Sequence, residues 1–408
     1  MSAALGRPQA SSHRSAQHGG SPMTTLQHAA PAPVGGRLLN AATFTCGVLI
    51  AMAVAILFAR FLFGLGAVTA LNDGYPWGIW VVFDVVIGSA FACGGFSVAM
   101  LVYIFNRGEY HPLVRPALLA SLFGYTLAGV GVFFDLGRPW NAWNMFWPGS
   151  ANPGSVMFEV ALCISLYIIV MWLEFSPAFL EQMGKRATKQ KLNKVMFFVI
   201  ALGTVLPMMH QSSLGTLLVV MGVQINPLWQ TPVLPALYLL SAITMGYAVV
   251  LFESCLASSA YRRQIEMHML TPMAKIMLGM LAVFLALRWG DLVVRGALGH
   301  AFTASVAAVS FWAETLCFVA PLFLIGAEAN RRNPARLFLA GVLLMLGGAL
   351  MRVNGFLIGY DTGPGFNYFP TVPEILVTVG MFAIEVLGYI VITRRFPVLP
   401  REDAAHHA

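Results

Sequence analysis

Ten stretches of this chain run for about 20 residues each with few or no charges, and short polar clusters separate them. They span Ala41 to Gly64, Gly78 to Phe105, Leu113 to Phe134, Ser155 to Phe175, Val195 to Val220, Val233 to Leu256, Met273 to Trp289, Phe302 to Ala327, Leu337 to Phe356 and Val372 to Thr393. That length matches the hydrocarbon core of a bilayer, so the pattern predicts an all-α integral membrane protein with ten transmembrane helices. An even number of crossings puts both termini on one side. Hydrophobic residues make up 58% of the 408 residues and charged residues only 10%, which excludes an ordinary soluble domain.

Charge orients the pattern, because Lys and Arg favour cytoplasmic loops. With the amino terminus inside, nineteen of the 24 basic residues fall on the cytoplasmic side, including Arg7, Arg14, Arg107, Arg115, Lys189, Arg263, Arg331, Arg332, Arg394 and Arg401. Four fall opposite, namely Arg138, Arg288, Arg295 and Arg352, and Arg60 lies inside the first helix. Both termini are therefore expected in the cytoplasm. The formal charge of +7 does not signal nucleic acid, since the basic residues are spread over six cytoplasmic segments instead of one patch.

Between its apolar stretches the chain divides simply. Residues 1–40 are rich in Ser, Ala, Gln, His, Gly and Pro and are expected to be a disordered cytoplasmic tail, with no ligand role for His13, His18 and His28. The membrane domain is expected over 41–396 and a short cytoplasmic tail over 397–408. Small residues from Ala90 to Gly95 would let the second helix pack closely against neighbours. Pro207 followed by MHQSSLG predicts a kink or a break in the fifth helix that lines a cavity. The outside run DLGRPWNAWNMFWPG carries Trp140, Trp143 and Trp147, read either as an aromatic belt or as a docking surface for an extrinsic partner.

A few polar side chains inside the apolar stretches could carry chemistry. A bis-histidine haem needs axial ligands from facing helices, but only His210 lies within an apolar segment. The five Cys all fall in apolar segments without C-x-x-C spacing, which speaks against zinc, iron-sulfur clusters and a disulfide framework. No metal site is expected. Acids in a membrane helix are protonated, paired or facing water. Glu314 and Glu385, near mid-membrane, suit either structural ion pairs with Arg60, Arg288 or Arg352, or a proton relay. Asp135 with Arg138 reads as a surface pair or cap. Asp84 and Glu159 towards the outer half, with Tyr125 and His210, suit a quinone site: the head group needs donors at its carbonyls and a proton-exchanging acid nearby.

The strings LNDGYPWGIWVVFD, ACGGF, VYIFNRGEYHPLVRPALLASLFGY, LNKVMFFVIALG, MHQSSLG and YFPT resemble the NrfD-like family of quinone-reactive membrane subunits, and within it the HybB-type subunits of periplasm-facing nickel-iron hydrogenases. The resemblance runs from about Phe63 to Pro400. It implies two four-helix bundles with flanking helices, in a subunit of the bacterial inner membrane without haem or iron-sulfur cluster of its own. Such a subunit would exchange electrons between menaquinone or ubiquinone and a periplasmic ferredoxin-like iron-sulfur subunit attached to a nickel-iron hydrogenase. Tyr125 and Glu159, with Asp84 and His210, match family quinone or proton-path positions. Whether the chain itself counts as quinone-reducing or as a non-catalytic anchor stays open. The same module could instead serve a molybdopterin or multihaem enzyme. A proton-coupled transporter is the rival from another class, but a matching pair of broken helices in the two halves is missing.

Overall fold

As a computed structural model, the chain is described over residues 31–400. The expected tails outside that range, with His13, His18, His28, Arg7, Arg14 and Arg401, lie beyond the described residues. Ten helices are long and apolar enough to cross a membrane: α1 Ala41–Phe63, α2 Trp80–Ile104, α3 Gly108–Asp135, α4 Val156–Gln182, α5 Met196–Gln224, α6 Leu234–Tyr261, α7 Met267–Val294, α8 Val306–Ile325, α9 Pro334–Ile358 and α10 Val372–Arg395. The chain is a multi-pass integral membrane protein. Pro31–Ala32 pair antiparallel with Leu399–Pro400, so part of the expected amino-terminal tail is held against the carboxy-terminal segment. The two ends of the described segment thus meet at one end of the bundle. We call it the basic end, for its Lys- and Arg-rich loops, and the opposite one the aromatic end.

Helices α2, α3, α4 and α5 pack in a closed ring, as do α6, α7, α8 and α9, while α1 and α10 pair with each other and lie against α2 and α3. The two rings meet where α2 and α5 pack on α6 and where α2 meets α9. Helix α2 is consequently the most enclosed, with 83% of its apolar window buried against 22% for α1. Its small residues make this possible. Gly95 N–H donates to Ser121 Oγ at 2.7 Å, and a Cβ on Gly124 of α3 would lie 2.6 Å from that of Ala92. On the other side, a Cβ on Gly246 of α6 would lie 2.7 Å from the Cys93 carbonyl oxygen. Close backbone approach replaces the hydrophobic driving force that lipid cannot supply.

Of the kink or break expected in the fifth helix, the break is absent. Helix geometry runs unbroken from Met196 to Met221 through Pro207. The polar run stays helical because its hydroxyls bond back to the helix's own carbonyls: Ser212 and Ser213 donate to Met209 O, and Thr216 donates to Ser212 O, a pattern open to Ser and Thr in apolar helices. Irregularity falls elsewhere. Trp80–Ile87 and Met100–Ile104 of α2 and Asn354–Ile358 of α9 are π-helical, a geometry that re-aims carbonyls and often accompanies functional sites.

At the aromatic end one carboxylate gathers the loops. Glu374 is buried and accepts from Ala70 N at 3.0 Å, Thr371 N at 2.8 Å and Tyr368 Oη at 2.7 Å, completing a capping box on α10. Burial and the hydrogen bond to Glu374 push the Tyr368 phenol well above its ordinary range. The same hydroxyl accepts from Ile79 N and so fixes the entry to α2.

Gly215 of α5 faces the start of α6, where an added Cβ would lie 2.6 Å from the Leu234 carbonyl oxygen and 2.7 Å from Pro235 Cα. Backbone at a helix start cannot yield as a side chain can. Gly215→Ala is expected to lower the thermal unfolding temperature of the detergent-purified protein by several degrees, whereas Gly279→Ala, with open space around it, leaves it unchanged.

Candidate functional site

Where the two rings meet, four helices bring a buried polar group together. Arg352 of α9 is 0% exposed. Its Nε donates to Val86 O at 3.0 Å in the π-helical part of α2, and its Nη1 to Gly348 O at 3.1 Å and Ser241 Oγ at 3.3 Å. The Met245 sulfur lies 3.2 Å from Nη1, and the guanidinium stands 5.1 Å from the centre of the Tyr238 ring. Its Nη2 donates to Gln211 Oε1 at 3.1 Å. Every one of these partners is neutral. Gln211 Nε2 in turn donates to Ser89 Oγ at 3.0 Å, and Ser89 Oγ lies 3.1 Å from His210 Nε2.

Tyr125 of α3 closes the group. Its ring meets that of His210 at 5.8 Å and that of Tyr167 at 4.5 Å, both edge-on. The Tyr125 hydroxyl lies within hydrogen-bonding reach of Gln211 and Cys93, whereas the buried His210 Nδ1 has no protein partner. A buried ring nitrogen of this kind is one that a ligand or an ordered water would meet. Of the residues expected from sequence, Tyr125 and His210 come together; Ser89, Gln211 and Arg352 were not foreseen. Arg352 and Arg288, counted as outside cations, are both buried in the bundle.

Asp84 stands apart, five residues before Ser89 on α2 and thus about 7 Å nearer the aromatic end. It packs against Gly131 of α3, with Asp135 as its charged neighbour and one carboxylate oxygen unpartnered. The expected Asp135–Arg138 pair is not formed. The charged neighbours of Asp135 are Glu374, Arg60 and Asp84, and Arg60 is tied to the carbonyls of Phe134 and Leu136. Glu159 lies in the first turn of α4 and is half-buried. Ser213 Oγ lies 2.8 Å from Glu159 Oε1 and is one turn from His210 on α5. A second acid, Glu174 of α4, lies near Tyr167 on the side of the basic end.

Glu314 has a different environment. It forms a buried ion pair with Arg288 at 2.9 Å and accepts from Trp229 Nε1 and Asn354 Nδ2, both at 2.8 Å. Such a closed set suits a structural clamp between α7, α8 and α9 better than a relay. Glu385 of α10 neighbours Glu253 of α6, and Glu253 faces Tyr389. Trp140, Trp143 and Trp147 are exposed in the loop between α3 and α4, and the last two rings meet edge-on at 5.8 Å.

The family profile described as "Polysulphide reductase, NrfD" matches residues 67–362. Among curated relatives, the "Probable Ni/Fe-hydrogenase 2 b-type cytochrome subunit" of Escherichia coli K12 is 44% identical over 91% of this chain and 95% of its own length. The "Menaquinone reductase, integral membrane subunit" of Nitratidesulfovibrio vulgaris is 28% identical over 83% of this chain and 87% of its own.

Removing one partner of a buried ion pair strands the other, at a cost of about 3–5 kcal/mol, whereas replacing both can be neutral. Arg288→Met is thus expected to destabilise the purified protein strongly in thermal unfolding. Arg288→Met combined with Glu314→Met recovers most of the loss.

Proposed function

This chain belongs to the NrfD polysulphide reductase family, and on that footing we propose that it is the quinone-reactive membrane subunit of a hydrogenase:quinone oxidoreductase. Its relatives are membrane subunits of hydrogenase and reductase complexes, which supports a membrane electron-transfer anchor. In bacteria such a protein belongs to the cytoplasmic, or inner, membrane. The extent of identity to the hydrogenase subunit, 44% over 95% of its length, favours nickel-iron hydrogenase and ferredoxin-like iron-sulfur subunits as partners over a molybdopterin or multihaem enzyme.

One observation carries the quinone reading: the buried Tyr125 and His210 rings meet edge-on at 5.8 Å, and His210 Nδ1 has no protein partner. A quinone presents two carbonyl oxygens, and a phenol and an imidazole on neighbouring rings are suited to hold them. Quinone, menaquinone or ubiquinone, would be the substrate. Electrons would enter from a partner seated on the exposed Trp140, Trp143 and Trp147 surface. Protons would pass by Glu159 through Ser213, with Asp84 alongside at the same end, while Glu174 and Tyr167 offer a route towards the basic end.

The relative from Escherichia coli is named a b-type cytochrome subunit, so haem needs testing against the donor set. His210 is the one histidine deep within a span among the described residues, and its Nε2 is taken by Ser89. No group of three or more His, Cys, Asp or Glu suited to a metal occurs among the described residues. These residues do not fit a bis-histidine haem, and no step of the proposed reaction runs through one.

Loss of one buried hydrogen bond costs about 1–3 kcal/mol, or roughly fivefold to a hundredfold in rate. Tyr125→Phe and Glu159→Gln are each expected to cut quinone-linked hydrogen uptake of the whole complex by that order while dye-linked activity of the extrinsic subunits stays intact. Unchanged quinone-linked turnover in both variants refutes the assignment.

A further inference from the structure

We infer that Arg352, acting through Gln211 and Ser89, holds His210 in the tautomer that carries its proton on Nδ1, and so makes the open ring nitrogen a hydrogen-bond donor. One group in this chain of contacts has a polarity that cannot change: arginine only donates. Its Nη2 lies 3.1 Å from Gln211, so the amide must present Oε1 to it and Nε2 to the other side. Nε2 then donates to Ser89 Oγ at 3.0 Å. Ser89 has a single hydroxyl hydrogen, and the one acceptor in reach is His210 Nε2 at 3.1 Å. No other hydrogen bond from that hydroxyl occurs among the described residues. Ser89 therefore donates to Nε2, Nε2 offers a lone pair, and a neutral ring keeps its hydrogen on Nδ1.

The opposite tautomer, or a doubly protonated ring, would place a hydrogen between Nε2 and Ser89 and leave the buried Ser89 hydroxyl without an acceptor, which a closed apolar site penalises. The unpartnered Nδ1 is thereby an N–H. It calls for an acceptor from outside the protein, and a quinone carbonyl oxygen is one. Arg352 touches neither ligand nor ring; it is a positioning residue. The tautomer follows from geometry alone, and only its use in holding a quinone rests on the function proposed above.

The relay can be reversed by one nearly isosteric change. A carboxylate only accepts, so in Gln211→Glu the Ser89 hydroxyl turns to donate to the carboxylate, and Ser89 Oγ must then accept from His210 Nε2–H. Full-length protein with 15N-labelled histidine rings, reconstituted in nanodiscs, reports the tautomer by nitrogen NMR, with the His210 signals assigned by their loss in His210→Asn. The expected result is a pyrrole-type signal at Nδ1 in the wild type and a switch to Nε2 in Gln211→Glu. A wild-type proton on Nε2, or no switch in the variant, overturns the inference. Ser89→Ala gives a second reading in case the charge change impairs folding: with the donor to Nε2 gone, both tautomers should be populated, and a ring that stays wholly Nδ1–H refutes the relay. A switched tautomer with undiminished quinone-linked turnover would leave the relay standing and refute the use of His210 in binding quinone.

Discussion

A guanidinium without a carboxylate is the constraint around which the centre of this protein is arranged. Burying a charge is costly unless dipoles replace the water it loses, and Arg352 is enclosed completely. The fold supplies those dipoles from four helices: Val86 O from α2, Gln211 from α5, Ser241 from α6 and Gly348 O from α9 itself. Three of the four lie on helices other than its own, so the two four-helix rings cannot slide past one another without stranding the charge. The π-helical geometry of Trp80–Ile87 belongs to the same arrangement, since an ordinary helix commits its carbonyls to its own ladder. The small residues of α2 then allow the approach that these hydrogen bonds require.

Two other buried acids play quieter roles that frame this centre. Glu374 ties the loops before α2 and α10 to one carboxylate at the aromatic end, and Trp77 Nε1 adds a bond to Phe356 O at 2.7 Å. Glu314 clamps the second ring through Arg288, Trp229 and Asn354. Between these fixed points the Tyr125 and His210 rings are held by packing, with His210 Nδ1 left without a protein partner. A rigid frame around unfilled hydrogen-bonding capacity is what a preorganised binding site needs.

The fold was legible in sequence because membrane spans announce themselves by length and hydropathy, and all ten segments recur with shifted ends. Site residues were legible where an apolar stretch held a ring with a polar atom, as at Tyr125 and His210. Ser89 and Gln211 carry no charge and are ordinary residues for such a helix, so nothing local marked them. Arg288 and Arg352 fall inside the seventh and ninth apolar stretches, and pairing of Glu314 with Arg288 was among the expectations; only the count of outside cations misled, because a cation near the end of a span is counted with the flanking loop. Pro207 and its Ser neighbours suggested a break, but hydroxyls that bond back to their own helix erase that signature. The box Thr371-x-x-Glu374 was legible as a helix cap.

A quinone head group bound between Tyr125 and His210 is accessible to photolabelling: the whole purified complex is treated with an azido-quinone and the modified peptides of this chain are mapped by mass spectrometry. Labels confined to α3 and α5 around Tyr125 and His210, and displaced by excess unlabelled quinone, are the predicted result. Displaceable labels confined to other helices, such as α7 and α8, would contradict it.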